Sequence, residues 1–347
     1  MAQALTNPWR GRGLEGADRF PLADARAVAH LLQQCPAHAA TPLRNSPALA
    51  ARLGVAQLWL KDERARMGLG SFKALGAAHS IAREAAATGA SDLRQALRGR
   101  VYVTASAGNH GLSVAAGARL FGAHAVICLA STVPEAFAAR LQAKGAEVMR
   151  AGADYEASMQ AAAEAAEANG WTLLSDSSWP GYTELPLRVM EGYLQLAAEA
   201  VAQIDQPPTH ILLQAGVGGM AAAVAAHARL VWGDGPQIIV AEPEAAPALM
   251  ESIRAGRLVE TSGPVSCMGR LDCKTPSMIA LNGLARDADV FATISDADAQ
   301  LAVDLLAGHG LPTTTSGAAG VAALLAVLDL PREAHVLAIL SEGPEDG

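Results

Sequence analysis

Val101-Tyr-Val-Thr-Ala-Ser-Ala-Gly-Asn-His-Gly111 begins with β-formers, passes through small residues and runs into an alanine-rich stretch of helical spacing. Read outward, it is a strand, a tight turn and a helix N-terminus, the repeating unit of α/β proteins. The same cadence continues along the chain. Short apolar runs at Ala125 to Leu129, Glu147 to Arg150, Thr172 to Leu174, Ile211 to Leu213, Gln237 to Ala241, Val290 to Ile294 and His335 to Leu340 alternate with longer helical stretches. Helix starts are marked at Pro134, at Asp154, and at Ser295 with Asp298 three residues on. An α/β fold follows.

At 347 residues the chain is long enough for two domains or one large unit. Hydrophobic residues make up 51% and aromatic residues only 4%, so the core is built from small side chains. A net charge of −8 with no lysine or arginine run argues against a nucleic-acid surface. The N-terminal residues lack the apolar run of a secretory signal, which predicts a cytoplasmic protein. The most hydropathic segment, Ile211 to Trp232, is interrupted by Gln214, His227, Arg229 and glycines, against a membrane span. Cys35, Cys128, Cys267 and Cys273 form no C-x-x-C pair; Cys267 and Cys273 flank a polar loop and are the pair close enough in sequence to meet. No metal site is expected.

Four strand ends carry the chemistry. Leu58-Trp-Leu-Lys-Asp-Glu-Arg64 leads to Gly68-Leu-Gly-Ser-Phe-Lys-Ala-Leu-Gly76, with a helix expected to begin near Ser71. That places Lys73 in a helix's first turn, where the dipole disfavours a cation and lowers the amine's pKa, as suits a nucleophile. Ser106 to Gly111 forms a turn whose backbone N–H groups, with the Ser106 hydroxyl, suit a carboxylate. Gln214-Ala-Gly-Val-Gly-Gly-Met220 is a glycine tract before a helix. It lacks the Lys-Ser/Thr ending of a nucleotide P-loop and fits a single phosphate better. Ser341 ends the last strand, where ligands gather in open α/β sheets. Taken singly, each feature also reads as ordinary turn chemistry.

Together, Ser71-Phe-Lys73, Ser106-Ala-Gly-Asn-His-Gly111, Gly216-Val-Gly-Gly219 and Ser341-Glu-Gly343 resemble the tryptophan synthase β-like superfamily of pyridoxal phosphate (PLP) enzymes, which includes threonine and serine dehydratases. Gly68 to Gly76, Gly181 to Pro186 with Gly192-Tyr193, and Met268 to Ser277 look most like diaminopropionate ammonia-lyase. The resemblance implies two open, mostly parallel sheets with helices on both faces (fold type II) and PLP in the cleft between them. It implies a large domain of residues 1–76 and 183–347, an inserted smaller domain of 77–182, and a homodimer. It assigns cofactor binding to Lys73, Phe72, Asn109, Gly216, Val217, Gly218, Gly219, Met220 and Ser341. Lys73 carries the cofactor, Asn109 meets its 3′-oxygen, and Ser341 faces the pyridine nitrogen. Ser106, Ala107, Gly108, Asn109 and His110 hold the substrate carboxylate.

A neutral hydroxyl at the pyridine nitrogen makes the ring a weak electron sink, which suits loss of a β-substituent. The expected reaction is β-elimination from a small L-amino acid such as 2,3-diaminopropionate, serine or threonine, giving a 2-oxo acid and ammonia, with Lys73 as the base at Cα. A β-replacement synthase, which would shield the same site from water, is the alternative. Ala107 departs from the lyase pattern, which has an aspartate there that serves the D-isomer; a methyl group moves no proton, predicting L-selectivity. Arg270, Asp272, Lys274 and Glu184 are candidates for a closing loop or for reading the substrate.

Overall fold

The protein is described by a computed structural model of residues 3–35 and 37–344. Two sheets organise it. The larger is built from β1 (Ala4–Thr6), β2 (Leu43–Asn45), β3 (Gln57–Asp62), β8 (His210–Gln214), β9 (Gln237–Pro243), β10 (Val290–Ile294) and β11 (His335–Leu340). Its order is β1-β10-β9-β8-β11-β3-β2. The smaller contains β4 (Val101–Ala105), β5 (His124–Leu129), β6 (Glu147–Arg150) and β7 (Thr172–Leu173), in the order β6-β5-β4-β7. Its strands all run parallel, and so do the five central strands of the larger sheet; β1 and β2 close that sheet's edges antiparallel.

Central strands covered on both faces read as continuous apolar runs. Ile211 to Leu213, Ile238 to Ala241 and Val336 to Leu340 are all buried. Helix starts follow the sequence signals. Pro134 precedes the helix Glu135–Ala143, the Asp154 side chain accepts from Ala157 N at 2.9 Å, and Ser295 and Asp298 form a capping box. The hydropathic segment from Ile211 resolves into β8, the glycine turn and the helix Gly219–Trp232. Among the described residues no helix is long and apolar enough to cross a membrane.

Three features position the site. First, Phe72 N donates to Ser341 O at 3.0 Å and Gly343 N to Gly70 O at 2.9 Å, so the segment before Lys73 lies along the end of β11. Second, the helix Glu184–Gln203 crosses so close to Lys73's segment that a Cβ on Gly192 would lie 2.3 Å from Leu75 O. Only glycine allows that approach. Third, the charges of Lys61, Asp62, Glu63 and Arg66 are buried rather than solvated, with Arg64 half-buried beside them. Lys61 Nζ and Arg66 Nη2 reach Glu199 Oε2 at 2.8 and 2.7 Å, and Arg66 Nε reaches Glu63 Oε2 at 2.7 Å. This paired cluster fixes the exit of β3 to the long helix and thereby the approach to Lys73.

Candidate active site

The carboxyl ends of β3, β4, β7, β8 and β11 converge, as expected for an open parallel sheet. Lys73 lies in a single 3-10 turn, Phe72–Leu75, and the α-helix begins only at Gly76. The helical first turn expected after Ser71 is present, in 3-10 form, whereas the lowered pKa expected for its lysine is not found. Its Nζ donates to Asp176 Oδ2 and lies 5.4 and 5.8 Å from the ring centroids of Phe72 and Tyr193. Burial pulls the amine's pKa down, but the Asp176 carboxylate, with Tyr193, more than offsets this and the net shift is upward. Asp176 is the mirror case. Burial pushes its pKa up, while Lys73, His110 and its hydrogen bonds hold it well below the usual carboxylate range. The two side chains are 21% and 16% exposed, enough shelter for the pairing to dominate.

Asp176 was not singled out in the sequence. It follows the two-residue β7 in Ser175-Asp-Ser-Ser178, and the signal that would have found it is the strand-end rule that located the other turns. The segment is held firmly. Ser178 Oγ and Ser277 Oγ are 2.7 Å apart, Ile279 N donates to Ser178 Oγ at 2.9 Å, and the Tyr182 hydroxyl donates to Leu173 O at 2.8 Å.

The Ser106 to Gly111 turn forms as expected, at the start of the helix Asn109–Leu120. Its hydroxyl has a different task. Ser106 Oγ accepts from Gly108 N at 3.2 Å and Gly111 N at 3.0 Å, shaping the turn itself. His110 Nε2 donates to Leu174 O at 2.8 Å, and burial lowers its pKa, so it is a neutral tie between the turn and β7. Asn109 Nδ2 donates to Glu342 Oε2 at 2.5 Å, beside Ser341. Ser341 is buried at the end of β11.

The second turn tests whether a phosphorylated cofactor fits. A Cβ on Gly216 would lie 3.0 Å from Cys273 Sγ and 3.1 Å from Arg270 O; Gly218 has φ 95°; Gly219 opens a 14-residue helix. A bare backbone at a helix N-terminus, closed to side chains, suits a phosphate without a basic residue. Val217 accepts from Ser277 N at 3.0 Å and Met220 is buried in the helix, so both frame the turn. With a lysine amine at the convergence of the same strand ends, the residues present fit PLP.

Residues 35–342 match a family described as pyridoxal-phosphate dependent enzyme. The chain belongs to that family. Within this PLP family, diaminopropionate ammonia-lyase of Salmonella typhimurium is 31% identical over 350 residues, 90% of this chain and 87% of that protein. Human L-serine dehydratase/L-threonine deaminase is 31% identical over 272 residues, 78% of this chain and 76% of that protein. A crystal structure of diaminopropionate ammonia lyase from Escherichia coli in complex with D-serine matches with a TM-score of 0.91 at 29% identity, covering 100% of this chain and 95% of that chain. The two-sheet fold expected from the resemblance is the one observed, and this PLP enzyme is an ammonia-lyase acting by β-elimination.

The remaining candidates separate. Glu184 is exposed and near Arg188 at 3.8 Å. Asp272 pairs with Lys274 at 2.5 Å, and Lys274 Nζ also donates to Ala245 O and Pro264 O at 2.9 Å each, stitching the loop. Cys267 and Cys273 are free thiols. Arg270 alone of this group turns inward, its Nη1 3.1 Å from Glu342 Oε1.

Proposed function

We propose that this PLP enzyme eliminates the β-substituent of a small L-amino acid, with Lys73 as the cofactor lysine and the base at Cα. The observation that carries the reading is the sheltered Lys73 amine at Asp176, set where the phosphate cradle, the Ser106 turn and Ser341 meet. The Gly216 to Gly219 backbone, with Val217 and Met220 behind it, would hold the phosphate, Phe72 and Asn109 would flank the ring, and Ser341 would meet its nitrogen. When bound, the cofactor supplies a carbonyl for the substrate amine and a ring that draws electrons from Cα.

The chain's own residues do the rest. The backbone from Ala107 to His110 holds the substrate carboxylate, fixing which Cα bond is presented. Lys73 removes the Cα proton, and the β-group leaves with the electron pair. Asp176 stabilises the proton on Lys73, since an ammonium beside a carboxylate costs far less here than one alone. Loss of the β-group and hydrolysis yield a 2-oxo acid and ammonia. Ala107 has no group to serve the opposite face, so turnover is L-selective. We also place residues 77–182 in a smaller moving domain, and the protein in the cytoplasm as a homodimer, following the family resemblance.

The test is to incubate purified holoenzyme with L- and D-serine, threonine and 2,3-diaminopropionate and to measure 2-oxo acid and ammonia. The expected result is stoichiometric release of both from an L-isomer. Equal turnover of the D-isomer overturns the Ala107 argument; product from an added thiol in place of 2-oxo acid overturns elimination.

A further inference from the structure

We propose that Arg270 makes the site select amino acids carrying an anionic group on the β-carbon, held in a cavity beside Ala107. The proposal rests on the β-elimination reading and deepens it to a substrate class. A cavity of about 390 Å³ is lined by Ala107, Cys267, Arg270, Thr314, Thr315 and Ser316, together with Gly269. That volume is in the range of small-molecule sites. Ala107 belongs to the turn that holds the substrate carboxylate, so the cavity starts one methyl group from the reacting end of the substrate.

The lining has one sign of charge. Among the described residues that form it, Arg270 is the only one with a formal charge, and a guanidinium keeps its charge at any working pH. Facing it are Thr314, Thr315 and Ser316, the cap and first residues of the 12-residue helix Thr315–Ala326, whose positive end favours an anion. Arg270 is built in place. Its backbone N donates to Ser316 Oγ at 3.2 Å, its carbonyl packs against Gly216, and its Nη1 meets Glu342 Oε1 at 3.1 Å. Glu342 does not line the cavity, and it is itself held by Asn109 and Thr314. Its Oε1 pairs with the guanidinium and also accepts from Thr314, which fixes where the guanidinium points. The Nε of Arg270 lies 3.8 Å from where a Cβ on Gly108 would be, so the positive group borders the carboxylate turn directly.

This arrangement opposes a β-ammonium group and favours a β-carboxylate. For 3-hydroxyaspartate the chemistry balances without an oxidant: the Cα–H and Cβ–OH bonds break, water leaves, and hydrolysis returns one water as ammonia departs, giving a four-carbon 2-oxo diacid. L-Serine loses the same hydroxyl, so comparing the two reads the extra carboxylate alone.

The experiment measures kcat/KM for 3-hydroxyaspartate, L-serine and 2,3-diaminopropionate with wild type, Arg270→Gln and Arg270→Lys. Wild type should prefer 3-hydroxyaspartate over serine, and Arg270→Gln should cut that ratio by about 10- to 100-fold, the worth of one charge-assisted contact. Arg270→Lys should restore part of it, because charge without the fork is retained. Calorimetry with L-aspartate and L-alanine, which have no β-group to lose, repeats the comparison without turnover. Aspartate should bind more tightly than alanine, in an Arg270-dependent manner. Serine turnover with an unchanged ratio in Arg270→Gln overturns the anionic subsite and leaves elimination standing. Arg270-dependent aspartate selectivity with no turnover of any substrate supports the subsite and overturns elimination.

Discussion

Replacing Asp176 by asparagine keeps the shape of the Lys73 contact and removes its charge. Opposite charges about 4 Å apart at an effective dielectric near 20 attract by about 4 kcal/mol, or roughly three pKa units at about 1.4 kcal/mol each. In the wild type this attraction outweighs burial, and the Lys73 pKa sits above its ordinary 10.5. In Asp176→Asn, burial acts with little opposition and the amine titrates at or below the ordinary value. The cofactor-free protein tests this directly. Trinitrobenzenesulfonate reacts with neutral amines only, so labelling of the Lys73 peptide, followed by mass spectrometry across pH, reports the titration. The variant's labelling should begin about three pH units lower than the wild type's. Coincident profiles would show that Asp176 does not control the lysine's proton, and the mechanistic role given to the pair would fall.

Two other groups make separable predictions. Glu242 is fully buried and accepts from Leu249 N and Met250 N at 2.7 and 2.8 Å, yet burial pushes its pKa up to about 8 from 4.5. A raised folded-state pKa means stability fully present below the unfolded value and lost as pH climbs toward 8, at up to about 1.4 kcal/mol per pH unit. Urea midpoints from pH 5 to 9 should therefore fall more steeply for wild type than for Glu242→Gln; parallel curves contradict the assignment. In the cluster behind Lys73, Glu199→Ala strands the buried charges of Lys61 and Arg66. A loss of about 3 to 5 kcal/mol is expected on equilibrium unfolding, and a loss below about 1 would show that water replaces the carboxylate.

The sequence exposes the parts of this site that are local. Strand-turn-helix units mark the Ser106 and Gly216 turns, because a short apolar run followed by small residues has few other folds available. The edge strands β1 and β2 escape such reading: each has three residues, too short for a period to show. Asp176 is legible only as a residue after a strand. Its meaning comes from Lys73, 103 residues away, through a contact made by packing. The same contact explains why the helix-dipole argument at Lys73 gives the wrong sign: a full carboxylate charge at contact outweighs the fraction of a charge at a helix end. Arg270 was one of four polar candidates until packing turned it inward and the others outward or onto each other.

Lys73 is the proposed cofactor lysine. Borohydride reduction of the PLP-loaded holoenzyme, proteolysis and mass spectrometry test this assignment most directly, with Lys61, Lys144 and Lys274 as internal controls. A reduced phosphopyridoxyl group is expected on the Lys73 peptide, and its loss together with multiple turnover in Lys73→Ala. An adduct on another lysine, or sustained turnover by Lys73→Ala, would contradict the assignment.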